Sequence, residues 1–183
     1  MREQRAVLAA LSSEPVREFL DIAERYCTTI ETHGDYSELQ FLQSLDTLLP
    51  LLYAKVHGLP DLDVPDKKQA VSIKDTTNQY FETSYPLRDK FGKHDVYREV
   101  YDPYSVEDAI TATLSDDLSS IYVILKHGLV IYREDHASAM ARAIWDLKFG
   151  FTIEWGEHAA GALRAVHSLL HSHYDEDDEL FDI

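Results

Sequence analysis

The chain has 183 residues, of which 33 are acidic and 17 basic, so its formal net charge is −16 at neutral pH. This length predicts a single domain, and an apolar content of 45% is enough to build a core, which excludes wholesale disorder. Nucleic acid is excluded as a ligand because no concentrated run of lysine or arginine offsets the negative charge.

Cys27 is the only cysteine, so an internal disulfide cannot form and we expect a cytoplasmic protein. The amino-terminal segment lacks the apolar stretch of a signal peptide. No segment approaches the ~20 apolar residues that a membrane-spanning helix needs. We therefore expect a protein without membrane contact, either a monomer or a homodimer.

Apolar residues recur at helical spacing through the first half of the chain. This pattern predicts helices from Pro15 to Thr32, from an N-cap at Ser37 to Val56, and from Asp75 to Phe91. Ser13 is the expected N-cap of the first of these helices. Cys27 lies in its apolar stripe, which favours a core position over a reactive thiol.

The second half predicts a helix from Ser115 to Arg133 that is apolar nearly all round and therefore central. A last helix from Ala137 to Ser172 would be roughly 54 Å long if it were unbroken. No useful strand alternation is present. We predict an all-α, single-domain bundle of about five helices over residues 1–174, followed by an acidic tail over residues 175–183.

Two blocks in the second half carry a family resemblance: DDLSSIY from Asp116 to Tyr122, and W-x3-F-x-F-x3-WG-x5-ALRAVH from Trp145 to His167. With the YC-x2-IE block at Tyr26 and the LLPLLY block at Leu48, the chain from Val16 to His171 resembles a bacterial family of all-helical proteins known only as a domain of unknown function. The resemblance implies a helical fold and an intracellular location. It implies no activity and no catalytic residue.

Charged residues interrupt the apolar faces of two predicted helices. Lys148 lies on the apolar line of the last helix, and Asp46 intrudes into the apolar face of the second. Because a buried charge needs a partner, we hypothesise that Lys148 contacts Asp46 or another core carboxylate; the alternative is a lysine whose head reaches water. Asp117 lies near an apolar edge, from which it could reach Lys148, Arg164 or a partner.

Two pairs on the last helix have the spacing of metal ligands. Glu154 and His158 share one face, and His167 and His171 share another at i, i+4, which suits zinc or nickel. The alternatives are a paired histidine at a helix edge and a solvated helix end. We therefore predict no cofactor, with a divalent metal as the open alternative.

Tyrosine is concentrated ahead of the central helix, where five of the 11 tyrosines lie between Tyr80 and Tyr104. One interpretation is a segment packed across the bundle. The other is a partner-binding patch that includes Tyr97, Tyr101 and Tyr104, because tyrosine is enriched at interfaces.

No phosphate-binding glycine loop, serine nucleophile motif, cysteine–histidine pair or paired-cysteine site is present, so no catalytic residue is predicted. The leading hypothesis is a non-enzymatic module that binds a protein partner or regulates one. The alternative is a bundle that binds a metal or a small molecule, and could be an enzyme. Its site would lie among Asp46, Asp117, Lys148, Glu154 and His158. A third hypothesis is an obligate homodimer with a structural role.

Overall fold

The computed structural model describes residues 2–64, 73–100, 104, 106, 108–134 and 136–171. The helices are α1 (Arg2–Leu11), α2 (Glu14–Glu31), α3 (Glu38–Val56), α4 (Ile73–Phe91), α5 (Leu114–Tyr132), α6 (Ala137–Gly150) and α7 (Gly156–His171). Two strands, β1 (Val96–Glu99) and β2 (Ile110–Thr113), separate α4 from α5. The predicted all-α bundle with a long carboxyl-terminal helix is confirmed. None of the described helices is both long and apolar enough to cross a membrane.

The bounds of α2 and α3 agree closely with the prediction, and α3 has a strong start signal. Ser37 begins α3 with a reciprocal capping box. Its Oγ accepts from the Gln40 backbone N–H at 3.2 Å, and its own N–H donates to the Gln40 side chain at 3.0 Å. Cys27 is buried, as predicted, and burial raises the pKa of its thiol to about 12, so the residue is an inert part of the core.

The central helix of the bundle is α5, which contacts α2, α4, α6 and α7. Leu118, Ile121 and Leu125 on this helix are fully buried. Tyr26 on α2 is buried as well, and its hydroxyl donates to the Leu118 carbonyl at 2.9 Å. This bond satisfies the one polar atom of a core tyrosine and fixes α2 against α5.

A π-helical turn over Phe151–Trp155 joins α6 to α7. Trp155 is fully buried, and its indole N–H donates to the Leu147 carbonyl at 2.9 Å. A Cβ at Gly156 would lie 2.4 Å from the Phe151 carbonyl oxygen, so only glycine fits there. The predicted last helix is therefore a continuous helical segment with a wide turn in its middle.

The hairpin of β1 and β2 and the helix α1 were not predicted. β1 and β2 pair antiparallel, with Val96 opposite Thr113. Each strand has four residues, too few for a period-two pattern to stand out. The hairpin is tied to α5 by the buried Asp95, whose carboxylate accepts from the Ser115 backbone N–H at 2.8 Å and from the Ser115 hydroxyl at 2.9 Å. The predicted acidic tail, residues 175–183, lies outside the described residues.

Candidate functional site

A network of polar side chains lies where the hairpin, α5 and α7 meet. Asp117 is at its centre and is only 4% exposed. Its Oδ1 accepts from His158 Nδ1 at 2.8 Å, and its Oδ2 accepts from the Tyr97 hydroxyl at 2.5 Å. A carboxylate can only accept, so the bond fixes a proton on His158 Nδ1. His158 Nε2 has no hydrogen-bond partner in the described part of the chain, and the side chain is partly exposed.

Burial, hydrogen bonds and charges within the network raise the pKa values of its members. Burial raises the pKa of Asp117, and the hydrogen bond that His158 donates to Asp117 raises the pKa of His158. Burial and the bond to Asp117 also raise the pKa of Tyr97, so its hydroxyl remains a donor at neutral pH. Burial, followed by the charge of Asp117, raises the pKa of Glu99. The network therefore favours proton retention at several neighbouring groups.

Gly161 lets α7 approach the hairpin closely beside this network. A Cβ at this position would lie 2.4 Å from Glu99 Oε1 and 2.7 Å from the Tyr97 hydroxyl oxygen. Arg164, one turn further along α7, donates from Nη2 to the Arg98 carbonyl at 2.8 Å. The small residue and the arginine together hold β1 against α7, which places Tyr97 over Asp117.

A groove of about 590 Å³ lies between α4, α5, α6 and the π-helical turn. This volume is in the range of sites for drug-sized ligands. Its apolar and aromatic walls include Phe81, Val123, Ile124, Trp145, Phe149 and Ile153. The Trp145 and Phe149 rings stack with centroids 4.7 Å apart at 14°. Arg142 and Asp146 form an ion pair in the same wall, with Nε 2.7 Å from Oδ2.

His127 on α5 lines the groove and carries one unusual polar atom. Its Nε2 is buried and has no hydrogen-bond partner among the described residues. Burial lowers the pKa of His127, so the ring is neutral at pH 7 and Nε2 either accepts or donates, depending on the tautomer. Buried polar atoms in native proteins are almost always hydrogen-bonded, so this nitrogen requires an explanation.

The groove and the polar network are neighbours. Tyr80 lines the groove, and its hydroxyl donates to Asp116 Oδ1, next to Asp117 in the chain. Glu154 also lines the groove, and its charge contributes to the raised pKa of His158. The two features therefore share one end of the site.

The hypothesis that Lys148 contacts Asp46 is wrong. Lys148 Nζ donates to the Leu59 carbonyl at 2.8 Å and to Asp61 Oδ1 at 2.6 Å. Asp61 is a loop residue whose side chain is 96% exposed, so it is not a core carboxylate either. A helical projection places Lys148 on the correct face but carries no information about the loop after α3 that reaches it. Asp117 does not reach Lys148 or Arg164; it binds His158 and Tyr97.

The predicted pairs on the last helix have different outcomes. Glu154 is exposed and does not join His158 in a metal-ligand group; His158 is instead grouped with Asp116 and Asp117. His167 and His171 do lie together, and Asp46 on α3 completes a group with them. Their ligand atoms lie within 4.8 Å of one another.

The tyrosines of the predicted tyrosine-rich segment differ in their surroundings. Tyr97 points into the network, as expected if this segment packs on the bundle, whereas Tyr104 is 97% exposed. Tyr101 lies outside the described residues. Sequence reasoning did not single out His127 or Glu99. A polar residue inside the nearly all-apolar run of α5 is the signal that could have identified His127.

A solved structure and a family model both match this chain. The crystal structure of protein BF1032 from Bacteroides fragilis has a TM-score of 0.76 and 22% sequence identity, covering 91% of this chain and 98% of that one. At that identity the likeness establishes the fold alone. Among curated proteins none matches this chain. The family model described as Domain of unknown function (DUF5063) matches residues 11–172. The chain therefore belongs to this family of proteins with a domain of unknown function.

Proposed function

We propose that the protein is a small-molecule-binding helical bundle whose ligand occupies the groove between α4, α5 and α6. The observation that carries this proposal is the buried, unpartnered Nε2 of His127, a residue that lines a largely apolar and aromatic groove. In the polar network, by contrast, both carboxylate oxygens of Asp117 already have partners from the chain itself. The groove is thus the place where a ligand would satisfy an unmet hydrogen bond.

The chemistry of the walls defines the ligand class. Stacked Trp145 and Phe149 favour a flat aromatic body. A hydroxyl on that body would satisfy either tautomer of His127, because it can both donate and accept. The charged lining residues are Arg142, Asp146 and Glu154, which sum to −1 and disfavour an anion. We therefore propose a neutral aromatic ligand that carries a hydroxyl or an equivalent group.

Matched probes test this assignment with the full chain. We expect 2-naphthol to bind about fivefold more tightly than 2-methylnaphthalene, since one hydrogen bond to His127 separates them. His127→Phe should remove that preference and retain 2-methylnaphthalene binding, while Ser120→Trp should fill the groove and abolish both. A titration of isotope-labelled protein, followed by nuclear magnetic resonance, measures each affinity.

The control for this experiment is His57→Phe, the same exchange at an exposed histidine outside the groove. It should change neither affinity. If Ser120→Trp fails to fold, Ile153→Trp at the exposed rim fills the groove instead. Unchanged probe binding in the filled variant, or tighter binding of 2-naphthoate than of 2-naphthol, would contradict the proposal.

A second candidate is the protein-binding function expected from the sequence, which we propose for the hairpin. Val96, Val100 and Ile110 expose apolar side chains on and beside β1 and β2. Apolar side chains that are exposed on a short two-stranded sheet are suited to contact with another protein. The net charge of −16 favours a basic partner, and the single cysteine supports a cytoplasmic location.

The double variant Val100→Lys with Ile110→Lys tests this second candidate. Cross-linking in native cells should recover a basic protein with the wild-type chain and lose it with the double variant. The lysine charges repel a basic partner, and they also replace the apolar side chains that would contact it. Recovery that is equal for both chains would count against the hairpin as the interface.

A further inference from the structure

Asp46 on α3 and His167 and His171 on α7 form a second cluster, remote from the groove. The two histidines are one helical turn apart, and their ring centroids are separated by 4.6 Å. His171 Nε2 lies 3.9 Å from Asp46 Oδ2. The ligand atoms of all three residues lie within 4.8 Å of one another. We propose that these three side chains bind a divalent transition-metal ion, with Zn²⁺ the best match.

The ligand atoms of this cluster are available. Within the described ranges, none of these three side chains forms a hydrogen bond, and 3.9 Å between His171 and Asp46 is too long for one. The cluster of Asp116, Asp117 and His158 differs in this respect, because its carboxylates already accept from tyrosine and histidine. A metal at that network would have to break bonds that the chain has made, whereas at Asp46 it would break none.

The geometry fits zinc after a small adjustment. Zinc bonds to nitrogen and oxygen are about 2.0–2.1 Å long, so tetrahedral ligands lie about 3.4 Å apart. The gap between His171 and Asp46 must therefore close by about 0.5 Å, and no gap between ligand atoms by more than about 1.4 Å, movements that exposed histidine side chains can make. Two imidazole nitrogens and one carboxylate oxygen are ligands that zinc prefers, and water can take the fourth position. Bound metal would connect α3 to α7.

Calorimetric titration of the untagged full chain with Zn²⁺ tests the site. We expect one zinc per chain, with affinity at least about tenfold weaker in His171→Gln and in Asp46→Asn, since each removes a ligand. Both residues are at least partly exposed, so the variants should keep the fold. Zinc should also raise the melting temperature of the wild type more than that of His171→Gln.

His158→Gln is the matched control, because it removes a histidine from the competing cluster on the same helix. Its zinc affinity should stay within about twofold of the wild-type value. Loss of binding in His158→Gln with binding retained in Asp46→Asn and His171→Gln would overturn the proposal, as would a wild-type chain that takes up no zinc. Neither result bears on the groove, whose probes contain no metal.

Discussion

Replacing Trp155 with alanine is expected to lower the free energy of unfolding by about 3–5 kcal/mol, the range for large aromatic residues removed from a core. Trp155 is fully buried in the π-helical turn, where its ring packs against Phe151 at 4.8 Å and against Phe19 at 6.3 Å. Its loss leaves a cavity between α2 and the last helix. It also removes the indole donor to the Leu147 carbonyl, which accepts from the Phe151 backbone N–H as well.

Urea denaturation at pH 7 measures this loss. Trp155→Phe separates the two contributions: it keeps most of the aromatic volume and should cost about 1–3 kcal/mol, largely through the missing hydrogen bond. Trp145→Ala serves as the comparison for the other tryptophan, which is only partly buried in the groove wall, and should cost less than half as much as Trp155→Ala. An unfolding free energy for Trp155→Ala within about 1 kcal/mol of wild type would show that the turn does not depend on this side chain.

The helices that could be predicted are those with both a periodic apolar stripe and an end signal. The capping box at Ser37 and the continuous apolar surface of α5 are local features of the sequence, and the helices there begin and end close to the predicted residues. The wide turn at Phe151–Trp155 could not be predicted, because it depends on where Trp155 finds a carbonyl and on the space left by Gly156. The hairpin depends on Asp95, which caps the start of α5. The two are distant in sequence and meet only when the chain folds back.

The residues of the polar network could be named from sequence but not assembled. Asp117 and His158 were each singled out for their positions on helical faces, with the wrong partners. A projection gives the direction of a side chain around its own helix, whereas the bond between these two residues depends on how α5 and α7 cross. The sequence leaves open whether Tyr97 packs on the bundle or belongs to a partner-binding patch, and the structure places its hydroxyl on Asp117 beside the close approach at Gly161. His127 carries a local signal, a polar residue in a nearly all-apolar helix, but the burial of its unpartnered nitrogen depends on how the neighbouring helices pack.

Replacing Asp117 with asparagine is expected to destabilise the protein by about 1–3 kcal/mol at pH 6 and by clearly less at pH 8.5. The carboxylate accepts from both Tyr97 and protonated His158, whereas the amide offers one acceptor oxygen and turns an N–H₂ toward the second donor. Neutral His158 can shift its proton and accept from that amide, so the mismatch is relieved at high pH.

The direction of this pH dependence follows from proton linkage. The pKa of His158 is raised in the folded state, so the native protein binds its proton more tightly than the unfolded chain does. The stabilisation is fully present below the ordinary histidine pKa of about 6.5 and is lost as pH rises through the folded value. Asp116 and Glu154 face His158 and act in the same direction. The lowered pKa of His127 destabilises the folded protein as pH falls, but only below about pH 6.5. The pH range in which His127 changes stability therefore does not overlap the range of His158.

Denaturation series from pH 6 to 8.5, with a chelator present, supply the measurement, and Tyr97→Phe is the matched control. This variant removes one hydrogen bond from Asp117 and leaves the bond to His158 in place, so its stability should fall by a similar amount at every pH. The difference between wild type and Asp117→Asn should instead narrow as pH rises. A difference that is constant with pH for Asp117→Asn would mean that His158 does not draw its charge stabilisation from Asp117. The contribution of the network to stability would then come from the Tyr97 hydrogen bond alone.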